Sequence, residues 1–244
     1  MQLTRPNLHL LQIETLLGRK QLNSYKKKAL ELAIQKAKGD WIVTTDADCT
    51  VNSHWLSNLS NFIRERNAVF VAGPVKLINN GSFVSIFQCL DFISLQGITA
   101  ASVNAGFHTM CNGANLAYNK SVFYEVGGFK GIDSIASGDD MLLMHKIYLR
   151  YKRQVHYLFS KRSIVKTQPM PGWKSFLNQR IRWASKADKF NDKRILGVLL
   201  FNYFFNLSFL ILPFAAFWLA NVAYYWTLML IVKTITGPSI LGRI

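Results

Sequence analysis

The run from residue 195 to residue 232 contains no charged side chain, and no other feature constrains the fold as strongly. One helix needs roughly 20 apolar residues to cross a hydrocarbon core about 30 Å thick, so this run is too long for a single perpendicular span. Pro213 divides it near its middle, and Lys193, Arg194 and Lys233 flank it. Positive charge at both ends favours a transmembrane helical hairpin whose two ends lie in the cytoplasm. One long tilted helix with an interfacial segment is an alternative, and a helix buried in a soluble core is another.

The chain before this run alternates between helical and strand-like patterns. Residues 41–45 (WIVTT) are apolar and β-branched, which is typical of a parallel strand covered on both faces. Residues 82–104 carry apolar side chains at helical spacing around Asp91, which indicates a buried or interfacial helix and not a span. Further strands are expected at 8–13, 68–73 and 155–159, and helices at 25–38, 53–66, 139–151 and 174–189. The alternation predicts an α/β fold.

The charge of the chain limits its partners. Lys and Arg total 29 against 13 Asp and Glu, which gives a formal net charge of +16 at pH 7. Such an excess suits anionic lipid headgroups and phosphate-bearing substrates. We expect no nucleic-acid partner, because the basic residues are scattered and no zinc-binding or RNA-binding motif accompanies them. The three cysteines are odd in number and lack CxxC spacing, which indicates reduced thiols.

A pair of carboxylates follows the strand predicted at 41–45. Asp46 and Asp48 come just past its carboxyl end, which is where open α/β sheets bind ligands. Two such carboxylates can hold a hard divalent cation while nucleotide phosphates supply its other oxygen ligands. The cation would then offset the charge of a departing diphosphate. A plain turn cap at the end of the strand explains the same two residues equally well.

A second acidic pair, Asp139 and Asp140, ends the sequence SGDD at 137–140 and opens a predicted helix. Acidic side chains at that position can simply cap the helix and complement its dipole. In a catalytic interpretation, Asp140 would accept a proton from an attacking hydroxyl. Asp139 would then raise the proton affinity of Asp140 by like-charge repulsion. The sequence leaves both interpretations open.

The sequence QRIRW at 179–183 combines a cation with an aromatic side chain. Gln179 and Trp183 stand at i and i+4 of a predicted helix, with Arg182 beside them. The forked guanidinium of Arg suits a diphosphate, and the flat indole of Trp suits stacking on a sugar ring. A basic amphipathic helix on a membrane surface is the alternative, and both interpretations can hold. In that alternative, three cations face lipid: Arg180, Lys186 and Lys189.

Taken together and in this order, the three motifs resemble those of the family 2 inverting glycosyltransferases. That family includes cellulose, chitin and hyaluronan synthases and ceramide glucosyltransferase. The resemblance covers about residues 20–235 and implies four parts: a partial GT-A (Rossmann-like) nucleotide-sugar domain at 1–170, an interfacial helix at 171–194, a transmembrane hairpin at 195–232 and a tail at 233–244. It also implies a catalytic domain on the cytoplasmic side of the inner or plasma membrane.

The resemblance assigns roles to individual residues of this chain. Asp46 and Asp48 match the family's metal site, which takes Mg²⁺ or Mn²⁺, and Asp140 matches its catalytic base. The residues matched to the donor diphosphate are Lys26 (with Lys27 nearly as good a match), Gln179 and Arg182. The residues matched to the acceptor side are Asn112, Gly113 and Asn115 of CNGANLAY (111–118), together with Asp139 and Trp183.

Two departures from the family pattern shape the functional prediction. The family's domain normally opens with a strand, a turn and an acidic uracil-binding pair, so we expect this chain to lack about two βα units. The acidic motif also reads GDD in place of TED, which keeps the base but changes its neighbours. The expected function is transfer of a sugar from a nucleotide-sugar donor to a lipid or glycan acceptor at a membrane. The alternatives are a catalytically incompetent remnant of such an enzyme and a basic membrane-surface module.

Overall fold

Six short strands form two sheets in the part of the chain that the structure, a computed structural model, describes: residues 8–12, 24–106, 110–132, 138–184, 200, 204, 207–208, 211–215 and 220–241. The strands are β1 (Trp41–Thr44), β2 (Phe70–Ala72), β3 (Val75–Leu77), β4 (Leu116–Asn119), β5 (Val155–Tyr157) and β6 (Val165–Thr167). The helices are α1 (Tyr25–Lys36), α2 (Trp55–Arg66), α3 (Phe83–Asn104), α4 (Lys120–Glu125), α5 (Asp139–Arg150), α6 (Trp173–Ala184) and α7 (Ala220–Leu241), with a 3-10 turn at Lys161–Ser163. The predicted α/β class is confirmed.

The larger sheet is mixed and not parallel throughout. Its strand order is β1-β4-β2-β5, with β4 antiparallel to β1 and β2, and with β2 parallel to β5. β3 and β6 form a second, parallel pair. The strand predicted at 41–45 is present as β1, but it is not a parallel strand covered on both faces. It pairs antiparallel with β4 at the edge of the described sheet, and its residues are only half-buried. An apolar β-branched run indicates a strand, but its direction depends on a partner far along the chain.

The central strands divide the core between the two faces of the sheet. Phe70 and Ala72 of β2 pack into the same buried cluster as Tyr118 of β4, while Val71 and Ala117 pack into another on the opposite face. This alternation follows from the two-residue repeat of side chains along a strand. Helices pack against both faces of the sheet. The carboxyl end of β1, at the edge of the sheet, remains exposed to solvent.

Helix α3 packs against the sheets through polar as well as apolar side chains. Gln96 accepts a hydrogen bond from the Val75 N–H (3.2 Å) and from the Tyr157 hydroxyl (3.1 Å). Among the described residues, α3 is the helix long and apolar enough to cross a membrane by length and composition. About two fifths of its most apolar stretch is buried against the protein. This packing agrees with the prediction of a buried or interfacial helix.

Several predicted element boundaries change in the structure. Residues 8–12 have no regular secondary structure, and Leu8 and Leu10 are largely exposed, so the strand predicted there is wrong in the described part. A short apolar run forms a strand only where a partner completes its hydrogen bonds. Helix α1 ends at Lys36 and not at residue 38, because Ala37 is extended. The strands predicted at 68–73 and 155–159 shorten to β2 and β5.

The run 195–232 is described only in part. Residues 211–215, which include Pro213, are helical, and α7 carries the end of the run. Helix α7 continues to Leu241, past Lys233, where we expected the second span to end. Most of the first predicted span lies outside the described residues, as do residues 185–189 of the predicted QRIRW helix. The hairpin therefore stays a prediction.

Candidate active site

The carboxyl end of β1 leads directly into the acidic turn. The Cys49 N–H donates to the Asp46 carbonyl at 3.1 Å, which closes the turn that carries both predicted metal ligands. Asp48 accepts a hydrogen bond from the Thr167 hydroxyl at 3.0 Å, at the end of β6. Thr50 pairs with Lys166 of the same strand. The turn is therefore anchored to the second sheet, and both carboxylates remain exposed to solvent.

The acidic turn has the donor atoms that a divalent cation needs. Carboxylate oxygens of Asp46 and Asp48 and the sulfur of Cys49 all lie within 4.8 Å of one another. Two carboxylates with open solvent beside them fit a hard cation such as Mg²⁺ or Mn²⁺, which keeps several oxygen ligands from water or substrate. Burial raises the pKa of the Cys49 thiol, which favours the neutral form of that side chain. The residues present therefore fit the predicted metal through their oxygen atoms.

The second acidic pair lies at the beginning of α5. Gly138 precedes the helix in the left-handed region (φ 80°), which glycine adopts without steric cost. Asp140 accepts hydrogen bonds from the Gly113 N–H (3.0 Å) and from the Met141 N–H (2.8 Å). Asp139 is 7% exposed. The two acids occupy the positive end of the helix, where their negative charge is stabilised.

Lys26 of α1 links the two acidic motifs. Its Nζ lies 3.6 Å from Asp46 Oδ1 and 3.5 Å from Asp139 Oδ2. Burial alone would lower the pKa of Lys26, but the charges of Asp139, Asp46 and Asp140 outweigh it and raise that pKa above its ordinary value. Lys27, the other candidate, is buried and donates to the Ile132 carbonyl at 2.5 Å. Lys26 therefore lies beside an acid of each motif.

These groups surround one cavity. It contains about 360 Å³ of space, part of which is open to solvent. Its polar lining consists of Lys26, Thr44, Thr45, Asp46, Gly113, Asp139 and Asp140. Its apolar floor consists of Leu30, Leu116, Tyr118, Phe129 and Leu143. Acids that lie far apart in the sequence therefore meet beside one lysine, above a floor from the core.

The floor and its surroundings are poor in charge. Burial raises the pKa of the Cys111 thiol well above its ordinary value, and the charges of Asp140 and Asp139 raise it further. Burial likewise raises the pKa of the Tyr118 hydroxyl, with a smaller contribution from Asp139. Both groups are neutral at physiological pH. Among the described residues, the net charge of the cavity therefore comes from three carboxylates and the Lys26 ammonium.

The loop before β4 contributes backbone to this cavity and a side chain elsewhere. The Gly113 carbonyl accepts from the Thr44 hydroxyl at 2.7 Å, and its N–H holds Asp140. The Asn112 side chain accepts from the Ala114 N–H and shapes the turn. Asn115 is 2% exposed, and its side chain is engaged by three groups: Trp55 Nε1 (3.0 Å), the Pro74 carbonyl (2.8 Å) and the Ser163 carbonyl (2.8 Å). Asn115 thus lies apart from the cavity and ties the loop to the core.

The QRIRW segment lies on α6, beside a different part of the core. Trp183 packs against the cluster that contains Phe92, with ring centroids 6.4 Å apart. Gln179 is half-buried, and Arg182 is exposed. None of these three residues is among the described residues that line the cavity. The structure therefore brings together Lys26, Asp46, Asp139, Asp140 and Gly113, but leaves the predicted cationic and aromatic clamp outside that group.

Arg180 occupies a position that the sequence did not predict. Its guanidinium lies 4.3 Å from the Trp183 ring centroid and 4.7 Å from that of Phe176, and it pairs with Asp91 of α3. The expectation that Arg180 faces lipid is therefore wrong. Burial lowers the pKa of Arg180, while the charge of Asp91 acts in the opposite direction. The signal that could have revealed this contact is Asp91 itself, the one charged residue within α3.

Comparisons with known proteins place this geometry in context. A family model described as "Glycosyl transferase family group 2" matches residues 41–240. The poly-beta-1,6-N-acetyl-D-glucosamine synthases of Staphylococcus aureus strains COL, MSSA476 and MRSA252 are each 26% identical to the chain over 169 residues, which covers 67% of this chain and 39% of the relative. The chain thus spans about two fifths of the length of these curated relatives. A solved structure, "Crystal structure of S. aureus TarS 1-349", matches with a TM-score of 0.42 and 17% identity over 60% of this chain and 41% of that one.

Proposed function

The chain belongs to glycosyl transferase family group 2, and from this premise we propose that it is an inverting, membrane-associated glycosyltransferase with a GT-A nucleotide-sugar domain. It transfers a sugar from a nucleotide-sugar donor to a hydroxyl of a glycan or lipid acceptor. The observation that carries the proposal is the cavity in which Asp46, Asp139 and Asp140 surround Lys26. Carboxylates at one concave site can hold a divalent cation and accept a proton, which are the two roles that the proposed transfer needs.

Asp140 is the proposed general base. Its carboxylate accepts the proton of the acceptor hydroxyl, whose oxygen forms a bond to the anomeric carbon as the bond to the diphosphate breaks. A single displacement inverts the anomeric configuration, so an α-linked donor gives a β-linked product. The backbone N–H groups of Gly113 and Met141 keep the carboxylate in place. Asp139, Asn112, Gly113 and Trp183 are proposed to contact the acceptor, with Asn115 supporting their loop from the core.

The acidic turn is the proposed donor end of the site. Asp46 and Asp48 would hold Mg²⁺ or Mn²⁺, which offsets the negative charge of the departing diphosphate. Lys26 would act on the same phosphates, because its ammonium already lies beside Asp46 and stays protonated. Gln179 and Arg182 are proposed to reach the diphosphate from α6. Neither residue lines the cavity in the structure. A structure with a bound donor would therefore test this assignment most directly.

The donor and the location are proposed from similarity and charge. The relatives are named as synthases of a polymer of N-acetyl-D-glucosamine, which supports a nucleotide-linked N-acetylhexosamine as the first donor to test. The uncharged run 195–232 and its flanking Lys and Arg residues support attachment to the plasma or inner membrane, with the catalytic domain on the cytoplasmic side.

Product analysis with Asp140→Asn tests the proposal. We expect membranes that contain the full chain to transfer sugar from one member of a panel of nucleotide sugars. Loss of the base should lower the rate about 10²- to 10⁴-fold, the usual contribution of a general base. Asp40→Asn is the control, because Asp40 is an exposed acid just before β1 and is absent from the cavity lining. Radiolabelled product would be separated by chromatography and digested to establish the anomeric linkage.

Three outcomes would contradict the proposal. Transfer that survives Asp140→Asn would remove the base, and a product with retained configuration would remove the single displacement. Absence of transfer from every donor, with a folded chain, would favour the catalytically incompetent alternative.

A further inference from the structure

Helix α6 is held against α3 by polar contacts as well as by aromatic packing. Just before α6 begins, Gln88 of α3 donates to the Met170 carbonyl and accepts from the Met170 N–H, both at 2.9 Å. Near the end of α6, Arg180 pairs with Asp91 of α3. Such contacts depend on distance and angle, whereas apolar packing has no preferred direction. They therefore fix how α6, and with it the QRIRW segment, lies along α3.

The position of the Arg180 guanidinium depends on Asp91. The guanidinium carbon lies 4.3 Å from the Trp183 ring centroid and 4.7 Å from that of Phe176. The Nε and Nη1 atoms of Arg180 are buried and have no hydrogen-bond partner among the described residues. A cation that is partly removed from water needs a charge partner, and Asp91 is the one charged residue within α3. No other side chain of that helix can replace it in this role.

The indole of Trp183 is held by groups from both helices. Arg180 precedes Trp183 by three positions, so the two side chains are neighbours on one side of α6. Phe92, the residue after Asp91, packs against the same indole, with ring centroids 6.4 Å apart. Trp183 is half-buried, so part of the residue remains accessible to a ligand. A ring that is already held in one orientation loses less conformational entropy when a ligand stacks on it.

Trp183 also borders the part of the core that carries the candidate active site. It packs against the same apolar cluster as Cys49, which belongs to the acidic turn. That cluster contains Ala114, and the residue before it, Gly113, donates its N–H to Asp140. The indole, the acidic turn and the loop before β4 are therefore joined through one cluster, although Trp183 does not line the cavity itself.

We propose that Asp91 is a positioning residue for acceptor binding: it holds Arg180, and Arg180 holds the Trp183 indole in the orientation that stacks on an acceptor sugar. This inference rests on the acceptor role of Trp183 in the proposed function and extends it to a residue of α3 that belongs to none of the three motifs. Asp91 does not contact the sugar, and it acts through two other side chains. Its loss therefore weakens acceptor binding and leaves the acids of the cavity in place.

Fluorine NMR of the full chain in detergent tests the positioning step without turnover. The six tryptophans are replaced by 5-fluorotryptophan, and single Trp→Phe variants assign the resonances of Trp55, Trp173 and Trp183. We expect Asp91→Asn to shift or broaden the Trp183 resonance, because the indole then samples more orientations. The resonances of Trp55 and Trp173 should keep their wild-type positions, since these side chains contact Asn115 and Phe87 and not Arg180.

Glu125→Gln is the matched control. It breaks the ion pair with Arg150, and the side chains of Glu125 and Asp91 are similarly exposed, at 36% and 34%. This change should leave the Trp183 resonance unmoved. Asp91→Glu keeps the negative charge and should return the resonance most of the way to its wild-type position.

Titration with an oligosaccharide tests the acceptor step in the same samples. The probe is an oligosaccharide of β-1,6-linked N-acetyl-D-glucosamine, chosen after the polymer in the names of the relatives. We expect it to move the Trp183 resonance of the wild type, and half of that change should need a several-fold higher concentration in Asp91→Asn. In transfer assays, KM for this oligosaccharide should rise several-fold in Asp91→Asn, with kcat and the KM for the donor nearly unchanged.

Three results would overturn the inference. The first is a Trp183 resonance that Asp91→Asn leaves unmoved, and the second is equal movement of all the tryptophan resonances, which indicates a general loss of structure. The third is an oligosaccharide that leaves Trp183 unmoved in the wild type or binds wild type and Asp91→Asn equally. The NMR readouts need no sugar transfer, so a chain that binds the oligosaccharide but transfers nothing contradicts the proposed function and not this inference.

Discussion

At the scale of single residues, Lys26 stabilises the cavity because its ammonium forms ion pairs with two acids on different elements. Asp139 is 7% exposed, so removal of the lysine takes a positive charge away from a largely buried carboxylate. The Lys26 side chain is itself 55% exposed, and water screens part of the interaction. We therefore expect Lys26→Met to lower the free energy of unfolding by about 1 kcal/mol at pH 7. Thermal melting in detergent, followed by circular dichroism, measures the change.

The pH dependence of this effect has a definite sign. The pKa of Lys26 is raised in the folded chain above its ordinary value of 10.5. The stabilisation that it supplies is therefore complete below about pH 10 and is lost as the pH rises through the folded pKa. The difference between wild type and Lys26→Met should be constant from pH 7 to about pH 10 and should shrink above that. Lys36→Met, an exposed change at the end of α1, is the control, and an equal effect from it would contradict the prediction.

Single residues also show what could be predicted from the sequence. The acidic motifs were recognisable because DAD follows a strand and GDD opens a helix, and the structure does bring Asp46 and Asp140 to one cavity. The roles assigned to them stay predictions. The three hydrogen bonds of Asn115 could not be predicted, since its partners come from separate parts of the chain. Motif matching treats each position by its type, whereas burial depends on what the rest of the fold places around it.

At the scale of elements, an ion pair joins α3 and α6 in addition to their aromatic contacts. Arg180 pairs with Asp91 and lies over the rings of Phe176 and Trp183. The side chains of Arg180 and Asp91 are 20% and 34% exposed, so this ion pair is intermediate between a surface ion pair and a fully buried one. Arg180→Gln should therefore cost about 2 kcal/mol of unfolding free energy, because it loses both the pairing and the cation–π contacts. Chemical denaturation in detergent measures this value.

The matched control for this change is Arg150→Gln. Arg150 pairs with Glu125 at side-chain exposures of 57% and 36%, so its removal should cost no more than about 1 kcal/mol. Exchanging the charges, with Asp91→Arg and Arg180→Asp together, should recover only part of the loss, since the rings of α6 then face a carboxylate. A cost for Arg180→Gln no larger than that for Arg150→Gln would contradict the prediction.

Elements also show where periodicity succeeds and where it does not. Apolar residues at helical spacing predicted α3, and the sequence around QRIRW predicted the helix that includes α6. The prediction of a buried or interfacial helix did not say which side of α3 packs against the protein, and the structure exposes Phe83, Phe87 and Leu90. Polar side chains with specific partners, such as Gln88 and Gln96, decided the rotation of α3. Periodicity does not report such partners, and it did not report that β1 is antiparallel to β4.

At the scale of the whole molecule, the cavity joins segments from most of the described chain. Lys26 comes from α1, Asp46 from the end of β1, Gly113 from the loop before β4, and Asp140 from α5. A ligand that contacts all of these segments binds the folded chain and not the unfolded one. Its binding energy therefore adds to the stability of the entire domain, by about 2.7 kcal/mol at a ligand concentration one hundred times Kd. This coupling makes donor binding measurable without turnover.

We expect uridine diphosphate with Mn²⁺ to raise the melting temperature by several degrees, and uridine diphosphate with a chelator to raise it much less. Asp46 and Asp48 would hold the proposed cation, which would offset the charge of the diphosphate. Its removal leaves the phosphates near two carboxylates with the Lys26 ammonium as the nearby countercharge, so repulsion increases. Asp48→Asn should weaken the stabilisation by Mn²⁺ and nucleotide, while Glu65→Gln, an exposed acid on α2, should not. Loss of the free Mn²⁺ signal in electron paramagnetic resonance on addition of protein gives an independent measure of metal binding. Stabilisation that is equal with Mn²⁺ and with chelator would show that the acidic turn does not act through a metal, and other nucleoside diphosphates would then be compared at the same cavity.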